Sequence, residues 1–140
     1  MIWITPPSLE AFNAFSKNTM VEYLGIQFID FGDDYLKASM PVDHRTVQPF
    51  RLLHGGASCV LAETIGSVAS TMCLDLSKNK AVGLEINANH LSAGYEGSTV
   101  IATARPVKIG RSIHVWNIEI HDDNDRLVCM SRLTMAVIPA

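Results

Sequence analysis

Glu63 is the residue on which chemistry can be built. It is the only acidic or basic side chain between His54 and Asp75, and it stands among Val60, Leu61, Ala62 and Ile65. Burying an unpaired carboxylate is costly, so such a group is expected to be partnered or functional. Desolvation makes a carboxylate more basic, which suits general-base work. The alternative is a carboxylate facing a solvent-lined seam or paired with an arginine. Ser67 follows at i+4, where it can share a helix face with Glu63 and orient it or a water. It can equally bond its own i−4 carbonyl.

His54-Gly55-Gly56 precedes this segment. The first amides of a helix have no internal acceptor, and the macrodipole puts positive potential there. Two glycines leave that end bare, so a substrate oxygen could approach the N–H groups as in an oxyanion hole. A tight loop-to-helix turn would use glycines equally well. Glu63 lies seven residues past Gly56, or about 10 Å along a helix axis. A base and an oxyanion donor must each come within about 3 Å of one reacting group. One helix cannot readily do both. The expectation is a site shared by two subunits, with Gly55 from one and Glu63 from the other.

Other chemistries fit less well. Gly56-Ala57-Ser58-Cys59-Val60 lacks the final glycine of a serine-hydrolase elbow and follows a loop rather than a strand. Cys59 in a first helical turn could be an activated thiol, but a packed core thiol fits better. Asp122, Asp123 and Asp125 lack the glycine of a calcium loop, and Leu133 holds the place of its final glutamate. No histidines have metal-ligand helical spacing, so no metal site is expected. Lys108 and Arg111 flank Gly110 in a turn, either as a solvated hairpin or as a phosphate contact.

These residues sit in a chain of 140, with 48% apolar and 18% charged residues. The length fits a single domain, residues 1–140, with a real core. A net charge of −3 leaves no basic excess for nucleic-acid binding. Three widely spaced cysteines argue against disulfides or zinc and for reduced thiols in the cytoplasm. Met1 to Pro7 has no signal-peptide character, and Glu63 and Asp75 interrupt the longest apolar stretch, so no membrane span is expected.

The elements that must position the site follow from periodicity. Ser8 is a fair N-cap for a short helix from Leu9 to Lys17. Gly25–Phe31 and Tyr35–Met40 read as strands around the Gly32-Asp33-Asp34 turn, followed by a loop from Pro41 to Leu53. The longest helix runs from about Gly56 to Leu76 and is apolar nearly all round, which implies burial on most sides. Ala62, Gly66, Ala69 and Ser70 permit close approach. The period then changes to two. Val82, Leu84, Ile86 and Ala88 are expected on the apolar face, with His90 on the same parity. Thr99–Ile109, Ile113–Ile120 and Leu127–Ile138 are further strands, joined by hairpin-sized turns and therefore mostly antiparallel. The architecture is α+β, one long helix against one curved sheet. Such a sheet covers only one side of the helix, so the far side or a sheet edge should need a second subunit.

The chain resembles the hot-dog-fold acyl-CoA thioesterases, in the branch acting on aromatic acyl-CoA. The resemblance rests on Met40-Pro41-Val42-Asp43, Gln48-Pro49-Phe50, Leu53-His54-Gly55-Gly56-Ala57-Ser58, Ala62-Glu63-Thr64-Ile65-Gly66-Ser67, Gly83-Leu84-Glu85-Ile86-Asn87-Ala88-Asn89-His90 and Ser131-Arg132-Leu133-Thr134. It spans nearly the whole chain in register. It extends to esterases for 1,4-dihydroxy-2-naphthoyl-CoA in menaquinone synthesis and to enzymes that clear misloaded aryl groups from a carrier protein. It implies a hot-dog fold with a long central helix wrapped by a six-stranded sheet, and homodimers pairing into homotetramers. It implies Glu63 as nucleophile or base and the Gly55 N–H as the group polarising the thioester carbonyl. Gln48 and His54 would position the thioester, and Ser67 would assist the water. Val68 and His90 would border the acyl pocket. The pantetheine and nucleotide would run along Gly83, along His90, Leu91, Ser92 and Ala93, and along Val107, Lys108, Ile109, Gly110, Arg111 and Ser112. Coenzyme A is then part of the substrate, and no separate cofactor is implied. Relatives often carry arginine where this chain has Ser92, and glycine where it has Arg51. A hot-dog dehydratase with His54 as base and a non-catalytic acyl-CoA-binding module are the alternatives.

Overall fold

Ser8 accepts a hydrogen bond from the Ala11 N–H and starts α1 (Leu9–Phe15). The computed structural model describes all 140 residues. A second short helix, α2 (Met20–Tyr23), follows on a Thr19 cap. Its four residues are too few to show a period in the sequence. Next come β1 (Gln27–Phe31), β2 (Leu36–Pro41), α3 (Gly55–Met72), β3 (Asn79–His90), β4 (Thr99–Ile109), β5 (Ile113–His121) and β6 (Leu127–Pro139). The six strands form one antiparallel sheet in the order β1-β2-β4-β5-β6-β3. One side packs on α3, which touches β2 through β6.

The inward positions of β5 are His114, Trp116, Ile118 and Ile120, all buried. From α3 they meet Leu61, Ala62, Ile65 and Ala69, each fully buried. Gly66 sets the spacing of the two layers. A Cβ there would lie 2.5 Å from Leu133 Cδ2. Glycine inside a helix costs about 1 kcal/mol against alanine, and the close helix–sheet packing offsets that cost. Trp116 Nε1 donates to Ser70 Oγ at 2.6 Å, which satisfies both polar groups inside the core.

Helix α3 stops at Met72 rather than Leu76. The Cys73 N–H turns back to the Ser70 carbonyl at 3.1 Å, and the Leu74 N–H to the Thr71 carbonyl at 3.2 Å. The N-terminal segment closes the end, with the Ile4 and Thr5 N–H groups donating to the Met72 carbonyl at 2.9 and 3.1 Å.

Strand β3 corrects the alternation expected from its sequence. Its pairing with β6 skips Leu84, a β-bulge between Gly83 and Glu85. One extra residue reverses the parity. Ala81, Ile86 and Ala88 pack on the core, whereas Val82 and Leu84 are 39% and 59% exposed. β3 is also an edge strand, paired on one side only.

Candidate active site

The sheet covers one face of α3. The other face, through Val60, Glu63, Thr64, Ser67, Val68 and Thr71, is exposed or half-buried. The expectation that Glu63 is buried is corrected by this geometry. Its carboxylate stands in the open, over the backbone of Gly83 on β3. A Cβ on Gly83 would meet Glu63 Oε1 at 2.6 Å, so glycine is what lets the carboxylate lie against the strand. Ser67 lies one turn on, but its hydroxyl donates to Met135 Sδ at 3.7 Å rather than to Glu63. Thr71 takes the Ser67 carbonyl at 2.9 Å.

The first turn of α3 holds the other groups. The Gly56 N–H donates to His54 Nδ1 at 2.8 Å, so the His54 side chain caps the helix. An accepting Nδ1 puts the proton of a neutral ring on Nε2, which can then donate to a substrate oxygen. The Gly55 N–H has no acceptor within the protein. His90 packs over this residue, since a Cβ on Gly55 would lie 2.8 Å from His90 Nε2. Gln48 sits in the adjoining loop. Its Oε1 accepts from the Phe50 N–H, and its backbone closes the turn through the Arg51 N–H at 2.8 Å. Arg51 adopts φ 65°, a left-handed conformation that glycine reaches freely, and its Nε donates to Glu96 at 2.8 Å.

The expected site residues therefore fall at two ends of one helix face. Glu63, Ser67 and Gly83 form one group. Met135 pairs with both Gly83 and His114, so the hairpin carrying Val107, Lys108, Ile109, Gly110, Arg111 and Ser112 lies at this end. Gln48, His54, Gly55 and His90 form the other group. Leu91, Ser92 and Ala93 belong with them, because the Leu91 and Ser92 N–H groups donate to the Val128 carbonyl at the start of β6. Along β6, Cys129 pairs with His90 and Ala136 pairs with Ile113, which separates the two ends by about 23 Å. Within one chain the expected coenzyme A path is thus split in two. The acyl-pocket residues are split likewise: His90 is at the Gly55 end and Val68 lies beyond Glu63.

Val68 does line a cavity of about 490 Å³ between α1 and the C-terminal half of α3. Sequence reasoning did not find it, because it exists only through the docking of α1. A polar groove of about 570 Å³ between α1 and α2 is larger but shares no residue with either end of the site. Burial, with Glu63 nearby, pushes the Cys59 thiol up, and burial pushes Cys73 and Cys129 up to about 11. Reactive thiolate chemistry at Cys59 is therefore disfavoured. No group of histidine, cysteine and carboxylate side chains is arranged to hold a metal, and no helix is long and apolar enough to cross a membrane.

Comparison with known proteins adds four findings. The thioesterase superfamily matches residues 50–129. A 1,4-dihydroxy-2-naphthoyl-CoA hydrolase of Escherichia coli is 53% identical over 138 residues, covering 99% of this chain and 100% of the relative. A proofreading thioesterase EntH of Cronobacter turicensis is 48% identical over 138 residues, covering 99% of both. Among solved structures, a thioesterase variant from Pseudomonas aeruginosa superposes with a TM-score of 0.98 at 51% identity, covering 100% of each chain.

Proposed function

We propose that this chain, which belongs to the thioesterase superfamily, hydrolyses an aromatic acyl-CoA of the 1,4-dihydroxy-2-naphthoyl type to the free acid and coenzyme A. Thioester hydrolysis is the family's chemistry, on the hot-dog fold that this chain shares with it. What carries the mechanistic reading is the pairing of an open carboxylate with an unpartnered helix-terminal N–H, Glu63 and Gly55. The substrate reading is supported by the full-length relationship to the naphthoyl-CoA hydrolase.

Water adds to the thioester carbonyl with Glu63 as base, or Glu63 adds first and water then opens the acyl-enzyme. Negative charge gathers on the carbonyl oxygen in either route. The Gly55 N–H and the positive end of α3 offset it. His54 Nε2 and the Gln48 amide position the thioester. The carbon–sulfur bond breaks and coenzyme A leaves as a thiolate, a good leaving group, so the reaction needs no added cofactor. His54 as a dehydratase base is disfavoured, because its Nδ1 is occupied as an acceptor.

Eight residues of helix separate Gly55 from Glu63, about 12 Å of rise, so one carbonyl cannot meet both within a chain. A second copy resolves this. The exposed edge of β3 carries unpaired backbone groups together with Val82 and Leu84. Antiparallel pairing of β3 with its copy, centred between Ile86 and Asn87, sets Gly83 opposite His90 of the partner subunit. Glu63 then faces the helix end of the second copy. Pairing of two such dimers into a tetramer belongs to the same reading. The cytoplasm, a reducing compartment, fits three thiols that form no disulfide.

The test is thiol release from a panel of acyl-CoAs and from an aryl-loaded carrier protein. Faster release from naphthoyl-CoA supports the reading. Preference for the carrier protein would favour the proofreading role that the similarity to EntH raises. Binding of acyl-CoA without thiol release would make the chain a binding module.

A further inference from the structure

We infer that the Arg51–Glu96 ion pair is a latch that positions the Gln48 amide and the Gly55 N–H, so that both residues act on the reaction without touching the substrate. This rests on the thioester-hydrolysis reading of the Gly55 end and adds to it the residues that hold that end in shape.

The latch starts from a strained residue. Arg51 has φ 65°, a left-handed conformation that costs free energy in any residue with a Cβ. It persists only where its surroundings hold it. Here the guanidinium is gripped as a fork: Nε donates to Glu96 Oε2 at 2.8 Å and Nη2 donates to Glu96 Oε1 at 2.5 Å. Such a bidentate pair fixes direction as well as distance. The Arg51 guanidinium holds the Glu96 carboxyl below the usual carboxylate range, so the pair is ionised at neutral pH. The two side chains are 57% and 38% exposed, and an exposed pair adds little to global stability. What this pair does is align a loop.

Arg51 closes a short hairpin that leads straight into α3. Its N–H donates to the Gln48 carbonyl at 2.8 Å, and the Gln48 N–H donates to the Leu52 carbonyl at 2.8 Å. One step on, the His54 N–H donates to the Thr46 carbonyl at 2.8 Å. The Gln48 side chain is folded back on the same hairpin, its Oε1 accepting from the Phe50 N–H at 2.5 Å. That leaves its NH2 group to donate elsewhere.

Glu96 stands on a second loop that already touches the first. The Leu53 N–H donates to the Gly94 carbonyl at 2.8 Å, and Leu52 forms a β-bridge with Tyr95. This second loop is tied to the end of β2. The Gly97 N–H donates to the Val42 carbonyl at 2.8 Å, and the Val42 N–H donates to the Ser98 carbonyl at 2.9 Å. The latch thus braces the hairpin against the sheet. Gly55 is four residues past Arg51. A displacement of about 1 Å at a reacting group can cost on the order of 10²-fold in rate, so a slight loosening of the hairpin is felt in turnover.

The experiment measures hydrolysis of 2-naphthoyl-CoA and of the uncharged 2-naphthoyl thioester of N-acetylcysteamine. Arg51→Gln and Glu96→Gln should each lower kcat about threefold on both substrates, the scale of an exposed ion pair. The double variant should lose no more than either single one. Additive losses, or an unchanged kcat, would overturn the latch. A loss on the coenzyme A substrate alone, carried by KM, would make Arg51 a phosphate contact and overturn it too. Arg51→Gly separates positioning from folding, because glycine adopts φ 65° without strain. Its melting temperature should hold or rise while kcat falls. A parallel fall of both would reduce the pair to a structural contact and overturn the assignment. Hydrogen exchange read by mass spectrometry keeps the two readings apart. Absence of thiol release by the wild type overturns hydrolysis. Faster exchange across residues 46–55 in Glu96→Gln, with β5 unchanged, supports the latch whatever the turnover, and unchanged exchange overturns it.

Discussion

The two ends of the open face of α3 are built on opposite plans. At the Gly55 end the backbone is presented: a free N–H, a histidine cap and a glutamine in a tight turn. At the Glu63 end a side chain is presented, a carboxylate lying over a glycine on a bulged edge strand. One end can stabilise developing negative charge and the other can deliver or activate a nucleophile. Helix geometry keeps them apart within one chain, and in the proposed reading each chain supplies two complementary half-sites that a two-fold pairing would complete.

Removing the carboxylate should have the largest effect. Glu63→Gln is expected to cut turnover by about 10²–10⁴-fold. Its melting temperature should hold, because Glu63 is exposed and makes no ion pair. Near-normal turnover would take Glu63 out of the mechanism.

The opposite end can be tested by deleting one N–H. Gly55 is the first helical residue, where proline is tolerated, and His54 has ψ 130°, the extended form that proline requires before it. Gly55→Pro should therefore keep the helix and lose about 10²–10³-fold in kcat, once the exposed His90 ring has moved aside. Gly55→Ala displaces His90 equally but keeps the N–H. Equal damage from both variants would assign the loss to His90 rather than to the donor.

His54 separates capping from positioning. His54→Ala should cost about 1 kcal/mol of stability by uncapping α3, and should also raise KM. His54→Asn should restore the stability by capping again, without restoring KM. Recovery of both by asparagine would leave His54 as a cap alone.

The smallest effect belongs to the Glu63 end. His114 is 1% exposed and its Nδ1 has no partner. Burial pushes its pKa below the usual 6.5. The unfolded chain then binds a proton that the folded chain refuses, so stability falls as pH drops below about 6.5. Asp43, held at about 2 by Arg45, contributes stability above its unfolded value of 3.8 that is lost only as pH falls from there toward 2. His114→Phe should flatten the higher-pH part of this acid limb in thermal melts and leave the carboxylate part. An unchanged limb would mean that His114 does not titrate on unfolding.

Much of this was legible in the sequence, for physical reasons that differ by element. The change of period from 3.6 to two marked α3 and the strands after it, and a lone carboxylate in an apolar helix marked Glu63. The separation of Gly55 from Glu63 followed from helix rise alone. The bulge at Leu84 was not legible, because alternation in a sequence carries no sign of a skipped residue. The exposure of Glu63 was missed because Val60 and Val68 on the open face look like Leu61 and Ile65 on the covered one. The cavity was hidden because Asn13 reaches Phe28 across 15 residues, a contact without local signature.

Complementation tests the shared site most directly. Glu63→Gln and Gly55→Pro chains, each inactive alone, are co-expressed and purified as mixed dimers. An intact Gly55 from the first should meet an intact Glu63 from the second at one of the two sites of each mixed dimer, so the purified mixed dimers return about half of wild-type turnover. A mixture that stays inactive, with mixed dimers demonstrably formed, would place both groups in one chain and contradict the shared site.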